Sequence, residues 1–377
     1  MAETRGTGPT PRGPGVHVGT IAGVPVYVGR GWALIALVIV ALVGPSTARD
    51  RPDLGILAYG VGVAYALLLL VAILVHEAAH ALAARAFGLP VLRVVADLWG
   101  GHTAFAAGRS TAGATAVVAV VGPLANAALA LGAWLLLQVT PGGIPSMLVG
   151  GFALLNAVLA AFNLLPGLPL DGGQLVEAGV WAATGSRPRG MVVAGWCGRV
   201  VTALVFAWVL LRPLTTGRSP DLLDLVWALF ICSFMWAGAS AAIRGGRALG
   251  AVSRVALVEV LRPAVVAGAA ERLDGVLARW VPGQPVVVLD GQGVPVALVD
   301  PQAVGHVPPG RYAETGLAAV STPQPRGWAV EADPSQDVTA VVTAMQTVAA
   351  PLVAVTHHGR LVGVVSADDV NRALERL

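Results

Sequence analysis

Residues 56–87 form an apolar run that constrains the fold of this chain more than any other stretch. At 1.5 Å per residue, a helix of this length exceeds the roughly 30 Å of a bilayer's hydrocarbon core. Only His76, Glu77, His80 and Arg85 interrupt the run with imidazole or charged side chains. Because lipid offers the backbone no hydrogen-bond partners, the run predicts a transmembrane helix.

The composition predicts that this helix is one of several. The 377 residues are 56% hydrophobic and only 12% charged, whereas an ordinary soluble domain is about 25% charged. We therefore expect a polytopic α-helical membrane protein with about six transmembrane helices and a soluble α/β tail. The predicted spans are residues 32–43, 56–87, 111–139, 147–162, 192–211 and 222–243.

Two further features divide the chain. Residues 89–110 contain Pro90 and several glycines, and residues 91–95 have the composition of a strand, so a small β element at the membrane edge is expected there. If the chain cleaves an unwound transmembrane helix, residues 91–95 could bind the extended substrate by β-addition. Residues 1–15 are rich in Gly, Pro, Thr and Arg and are predicted to be a disordered leader. The predicted domains are then a membrane domain at residues 16–247 and a soluble domain at residues 252–377.

The arginines indicate the orientation, since all 24 basic residues are arginine. With six spans both termini lie on one side, and the arginines near the membrane fall mostly on that side. The positive-inside rule therefore predicts that both termini are cytoplasmic. That side holds Arg5, Arg12, Arg30, Arg85, Arg93, Arg109, Arg187, Arg189, Arg244 and Arg247, and the other holds Arg49, Arg51, Arg212 and Arg218.

The sequence His76-Glu77-Ala78-Ala79-His80 is an HExxH motif. In a helix, His76 and His80 lie one turn apart on one face, so both imidazoles can bind one metal ion. Glu77 lies beside that face and can act as a general base on water at such an ion. The alternative is a buried, salt-bridged helix that carries two histidines by coincidence. The cost of ionisable groups at membrane depth favours a functional site.

A catalytic zinc site usually has three protein ligands, so a third is needed. Three residues are candidates: Asp97, His102 and Asp171. Asp171 follows the fourth span and precedes two glycines, Gly172 and Gly173, which allow close backbone approach. Asp171 could equally be the N-cap of a helix that begins near Gln174. Spacing alone leaves ligand and cap open.

Two motifs together resemble those of the site-2 protease family of intramembrane zinc metalloproteases. They are HEAAH at residues 76–80 and NLLPGLPLDGG at residues 163–173, and the resemblance extends over roughly residues 15–247. It implies that His76, His80 and Asp171 bind Zn2+ and that Glu77 is the catalytic base. It also implies that Asn126, in GPLAN, lies near the active site and holds the substrate or the oxyanion. An interhelical hydrogen bond is the alternative role for Asn126.

The tail contains a duplicated pattern of strand, polar turn and strand, at residues 285–301 and 351–369. It resembles a pair of CBS domains, regulatory modules that often bind adenine nucleotides. That resemblance implies ribose contacts from Ser366 and Asp369 in the second copy. The first copy has Asp300 and Ala303 at the matching positions, so at most one nucleotide site is expected. The pair could instead be purely structural or form a homodimer.

Together these features predict an intramembrane zinc endopeptidase of regulated intramembrane proteolysis, modulated by its CBS tail, in the cell membrane. The resemblance implies single-span membrane-protein substrates within the lipid bilayer, such as anti-sigma factors. A CBS-gated transporter or channel is the alternative, and an inactive scaffold is a third. A transporter would carry polar groups at the midplane of several helices, whereas the ionisable groups here cluster at one depth. Neither half has a dense basic patch, so nucleic acid is not an expected partner.

Overall fold

The computed structural model describes residues 15–97, 100–105, 110–217 and 222–376. Apart from Gly15, the predicted leader lies outside these residues. The chain divides into two compact units, residues 1–246 and 247–377.

Six helices of the described chain are long and apolar enough to cross a membrane. Their positions confirm the predicted spans. The first runs past its predicted end, and in this extension Ser46 and Arg49 donate to carbonyls of their own helix, at Val43 and Pro45. The six are α1 (Trp32–Asp50), α2 (Leu57–Ala86), α3 (Ala112–Leu137), α4 (Ile144–Asn163), α6 (Arg187–Thr216) and α7 (Leu222–Val252), with the shorter α5 (Asp171–Thr184) between α4 and α6.

Four strands form a sheet against α2: β1 (Gly15–Ile21), β2 (Val24–Gly29), β3 (Val91–Asp97) and β4 (Gly100–Phe105). Val24, Val26 and Val94 pack with Ala81 of α2 in one buried cluster. The helix that carries HExxH is therefore fixed on one side by the sheet.

The order of this sheet corrects one expectation. Residues 91–95 were expected to bind an extended substrate by β-addition. They lie in β3, which pairs with β2 on one side and β4 on the other. Residues 94–96 pair on both sides, so this part of β3 has no free edge for a substrate strand. Within the described residues, the edges of this sheet are β1 and β4.

The second unit contains two copies of one motif, as the duplicated pattern predicted. In the first copy β6 lies between parallel β5 and antiparallel β7, and in the second β10 lies between parallel β9 and antiparallel β11. The elements are α8 (Leu257–Val260), β5 (Val265–Gly268), α9 (Leu273–Leu277), β6 (Val286–Leu289), β7 (Pro295–Val299), α10 (Pro301–Gly305), β8 (Ser321–Pro323), β9 (Ala329–Glu331), α11 (Thr339–Val348), β10 (Leu352–His357), β11 (Arg360–Ser366) and α12 (Ala367–Leu374).

The two copies exchange segments at their sheets. Arg262, which precedes the first copy, forms a bridge with Val364 in β11 of the second copy. In turn β8, which precedes the second copy, pairs with β7 of the first. Trp328 is buried between the copies and donates from Nε1 to Pro295 O at 3.0 Å. The copies therefore form one unit.

Candidate metal centre

Three side chains from two distant parts of the chain meet at the end of α2. His76 Nε2 lies 3.0 Å from His80 Nε2, and Asp171 Oδ2 lies 3.1 Å and 3.3 Å from these two nitrogens. All three residues are buried. They form the one group of potential metal ligands found among the described residues.

The geometry of this group fits zinc. Two nitrogens that each lie 2.0–2.1 Å from a tetrahedral ion are separated by about 3.3 Å, close to the distances seen here. Asp171 Oδ2 is buried, and no donor within the described chain hydrogen-bonds to it. A buried carboxylate oxygen without a donor is costly, and a cation would satisfy it. Two imidazoles and one carboxylate are also a donor set that zinc prefers.

His80 is oriented by a backbone contact from α3. Its Nδ1 lies 2.6 Å from Val118 O and donates to that carbonyl. This bond fixes the tautomer, so the Nε2 lone pair is directed at His76 and Asp171. HExxH spacing alone could not reveal Val118, because the contact depends on how α2 and α3 cross.

Gly122 allows α3 to approach both histidines closely. A Cβ at Gly122 would lie 2.5 Å from His80 Cε1 and 2.8 Å from His76 Cε1, and closer still to His80 Nε2. No real Cβ tolerates such distances. Gly122 therefore has a structural role in the site, which the sequence showed only as part of GPLAN.

Asp171 is the first residue of α5, and Leu170 is its N-cap. The carboxylate is directed at the histidines, so the cap role considered from the sequence does not describe its position. The following glycines fit against the loop that precedes them. A Cβ at Gly172 would lie 2.6 Å from Leu164 C, and one at Gly173 would collide with the Leu168 backbone nitrogen. Any side chain there would displace Asp171.

The remaining candidate site residues differ in their burial and in their hydrogen bonds. Glu77 is 6% exposed, beside the two histidines on α2. Asn126 is 1% exposed, and its Oδ1 has no hydrogen-bond partner in the described part of the chain. The side chains of Asp97 and His102 lie outside the described residues. Asn156 on α4 was not singled out from the sequence, yet it is fully buried; its spacing carried no signal.

In the second unit, Ser366 and Asp369 bind each other. They form the capping box of α12, with Ser366 Oγ 2.5 Å from Asp369 Oδ2. Arg262 and Arg372 both form ion pairs with Asp369 Oδ1. Burial alone would raise the pKa of Asp369, but hydrogen bonds from Ser366, Arg262 and Arg372 hold it below its ordinary value. Both carboxylate oxygens of Asp369 thus already have partners within the protein.

A cavity of about 760 Å³ lies between the two copies of the motif. Its walls include Arg262, Trp280 and Ser366, together with Leu298 and Leu352. Trp280 offers an aromatic face, and Arg262 is the charged residue of the lining. In the first copy, Asp300 caps α10 by accepting from Gln302 N at 2.9 Å, as an ordinary helix cap does.

Comparisons with known proteins show which family the chain belongs to. The model of peptidase family M50 matches residues 142–208, which include Asp171. "Putative zinc metalloprotease Rip3" of Mycobacterium tuberculosis is 30% identical over 382 residues, covering 96% of this chain and 93% of that protein. The chain belongs to peptidase family M50. This M50 peptidase is therefore a zinc metalloprotease of the site-2 type and a multi-pass membrane protein.

Three other matches cover a smaller share of this chain. "Putative zinc metalloprotease sll0528" of Synechocystis is 30% identical over 234 residues, and the chain covers 60% of that relative. The solved site-2 protease of Methanocaldococcus jannaschii is 19% identical, with a TM-score of 0.43, over 60% of this M50 peptidase and 94% of that chain. A solved CBS domain from Sphaerobacter thermophilus is similar over 36% of this chain and 97% of that chain, with 20% identity and a TM-score of 0.27.

Proposed function

We propose that this protein is an intramembrane endopeptidase that cleaves transmembrane segments of other membrane proteins, with Zn2+ held by His76, His80 and Asp171. The observation that carries the proposal is the buried triangle of two imidazole nitrogens and one carboxylate oxygen, 3.0–3.3 Å apart. Its members come from an apolar helix long enough to span a membrane and from the start of α5. Such a site is suited to hydrolysis inside a bilayer.

In this proposal each residue has a distinct task. Bound zinc would supply Lewis-acid chemistry, polarising the scissile carbonyl and making water a stronger acid. Glu77 accepts the proton of the attacking water and delivers it to the leaving amine. Asn126 meets the substrate backbone: its unpartnered buried oxygen can accept a substrate N–H, and its amide N–H can stabilise the oxyanion.

The proposed substrates are single-span membrane proteins, such as anti-sigma factors, cut within the bilayer during regulated intramembrane proteolysis. A helical substrate hides its amides, so the cleaved stretch must first become extended. Since β3 is an inner strand, the extended substrate is proposed to pair with the edge strand β4 by β-addition. A polar route for water must also reach the site from the cytoplasmic side.

Residues 16–247 would then form the protease domain and residues 252–377 a cytoplasmic CBS regulator. The proposed location is the cell membrane, with both termini in the cytoplasm, as the arginine distribution supports. An adenine nucleotide would enter the cavity beside Trp280 and Ser366. To contact a ribose, Asp369 would have to exchange its bonds with Arg262 and Arg372 for bonds to the ligand. A homodimer through this unit is the other proposed role.

Quantitative membrane proteomics tests this function. Cells with Glu77→Gln should accumulate uncleaved single-span fragments that cells with the wild-type enzyme lack, while the purified variant keeps its zinc. His76→Ala should lose both zinc and cleavage. Identical fragment sets in wild type and Glu77→Gln would contradict the proposal. Transport by a zinc-free wild-type protein would instead support the CBS-gated transporter.

A further inference from the structure

Arg199 lies at the centre of a predicted membrane span. The span of α6 runs from Arg187 to Arg212, so Arg199 lies roughly 18–20 Å from either end at 1.5 Å per residue. An arginine at that depth is costly and usually has a specific role. No task in the proposed hydrolysis uses it.

The contacts of Arg199 join α6 to α7. Arg199 Nη2 donates to Ser240 Oγ of α7 at 3.0 Å. The guanidinium lies between two indole rings, 4.8 Å from the centroid of Trp196 on α6 and 4.9 Å from that of Trp236 on α7. Cation–π contacts of this kind strengthen where water is excluded. Among the described residues no carboxylate pairs with Arg199 and its buried Nε has no hydrogen-bond partner, so the charge depends on Trp196 of its own helix and on Ser240 and Trp236 of α7.

The loop that carries Asp171 lies against these same two helices. Leu168 N donates to Ala194 O of α6 at 3.1 Å. A Cβ at Gly198, the neighbour of Arg199, would collide with Leu168 O. On α7, a Cβ at Gly238 would lie 2.7 Å from Pro169 Cγ. Both helices therefore have glycine where Leu168 and Pro169, three and two residues before Asp171, lie against them.

We propose that Arg199 is a positioning residue for the metal centre: by joining α6 to α7 it fixes the two helices that hold residues 167–170, and so fixes Asp171. Few contacts separate Arg199 from residues 167–170. Arg199 follows Gly198 on α6, Ser240 and Trp236 flank Gly238 on α7, and Leu168 and Pro169 lie against the two glycines. This inference rests on the proposal that Asp171 is a zinc ligand.

Zinc affinity of the purified full-length protein tests the inference, measured by competition with a chelator. Arg199→Leu should weaken zinc binding about 10-fold or more, the size of effect typical for residues that orient a metal ligand. Arg199→Lys keeps the charge between the indoles and should recover most of the affinity. Arg212→Leu is the matched control, since Arg212 lies against Trp208 on the same helix but far from residues 167–170; it should leave affinity unchanged.

A double-mutant cycle separates positioning from a general structural role. In an Asp171→Glu background, which keeps a carboxylate for zinc at a different reach, Arg199→Leu should weaken zinc binding by less than about 2-fold, because the group it positions has already been moved. An equal loss in both backgrounds would overturn the inference, and so would unchanged affinity in Arg199→Leu alone. If Arg199→Leu does not fold, Ser240→Ala and Trp236→Leu each remove one contact and should show a smaller loss with the same dependence on Asp171. A wild-type protein without zinc would overturn the proposed function itself.

Discussion

Replacing Gly122 by alanine should disable the metal centre while the rest of the fold stays intact. The new Cβ would lie 2.5 Å from His80 Cε1 and 2.8 Å from His76 Cε1. Ordinary contacts between carbon atoms are about 3.5–4.0 Å, so each imidazole must move by roughly 1 Å. A zinc site tolerates ligand displacements of only about 0.2 Å. We therefore expect zinc affinity to fall at least about 100-fold.

The same helix provides a matched control. Gly132 of α3 has open space at its Cβ position, so Gly132→Ala should bind zinc normally. Alanine also stabilises a helix by about 0.5–1 kcal/mol relative to glycine, and this gain should appear in Gly132→Ala, where the new Cβ meets no other atom. The assay is chelator competition on purified protein, with thermal unfolding recorded with and without zinc. Equal zinc affinity in Gly122→Ala and Gly132→Ala would refute the close approach of α3 to the histidines.

Two further predictions concern other parts of the chain. Gly173→Ala should weaken zinc binding and destabilise the membrane unit, because its Cβ collides with the backbone at Leu168. Gly179→Ala on the same helix, where the Cβ is unobstructed, should do neither. Zinc content and thermal unfolding of the two variants measure the difference. Asp369→Asn should lower the local stability of α12 by about 1–3 kcal/mol at pH 7, since it loses charge-assisted hydrogen bonds. Because the folded pKa of Asp369 is below its ordinary value, the extra stability of wild-type α12 over the variant is full above about pH 4 and disappears as the pH falls further. Hydrogen exchange of α12, corrected for intrinsic rates, measures this stability difference. A difference that persists at low pH would contradict the role of the ionised Asp369 carboxylate.

Much of the architecture was predictable because it follows from the hydrophobic effect. Apolar runs give the six spans, since lipid requires backbone groups to be satisfied within each helix. HExxH places His76 and His80 one turn apart in any helix. The duplicated strand pattern of the tail likewise determined its two sheets. These are local properties, which a single stretch of sequence contains.

The remaining features depend on how elements pack. Nothing near Val91 shows that β3 has β2 on one side and β4 on the other, so the sequence could not show that β3 is an inner strand. The bond from His80 to Val118 and the close approach of Gly122 to the two imidazoles require the crossing of α2 and α3. Arg199 was absent from the arginine count because it belongs to neither membrane face. Its significance appears only when α7 lies beside it.

The zinc site itself can be tested most directly by metal analysis and zinc X-ray absorption of the purified wild-type protein. The account predicts one zinc per chain, with two imidazole nitrogens at about 2.0–2.1 Å and carboxylate oxygen at about 2.0–2.2 Å. His76→Ala and Asp171→Ala should lose the metal, and His102→Ala should retain it. A third imidazole in the wild-type spectrum, or full zinc content in Asp171→Ala, would contradict the assignment of His76, His80 and Asp171 as the metal centre.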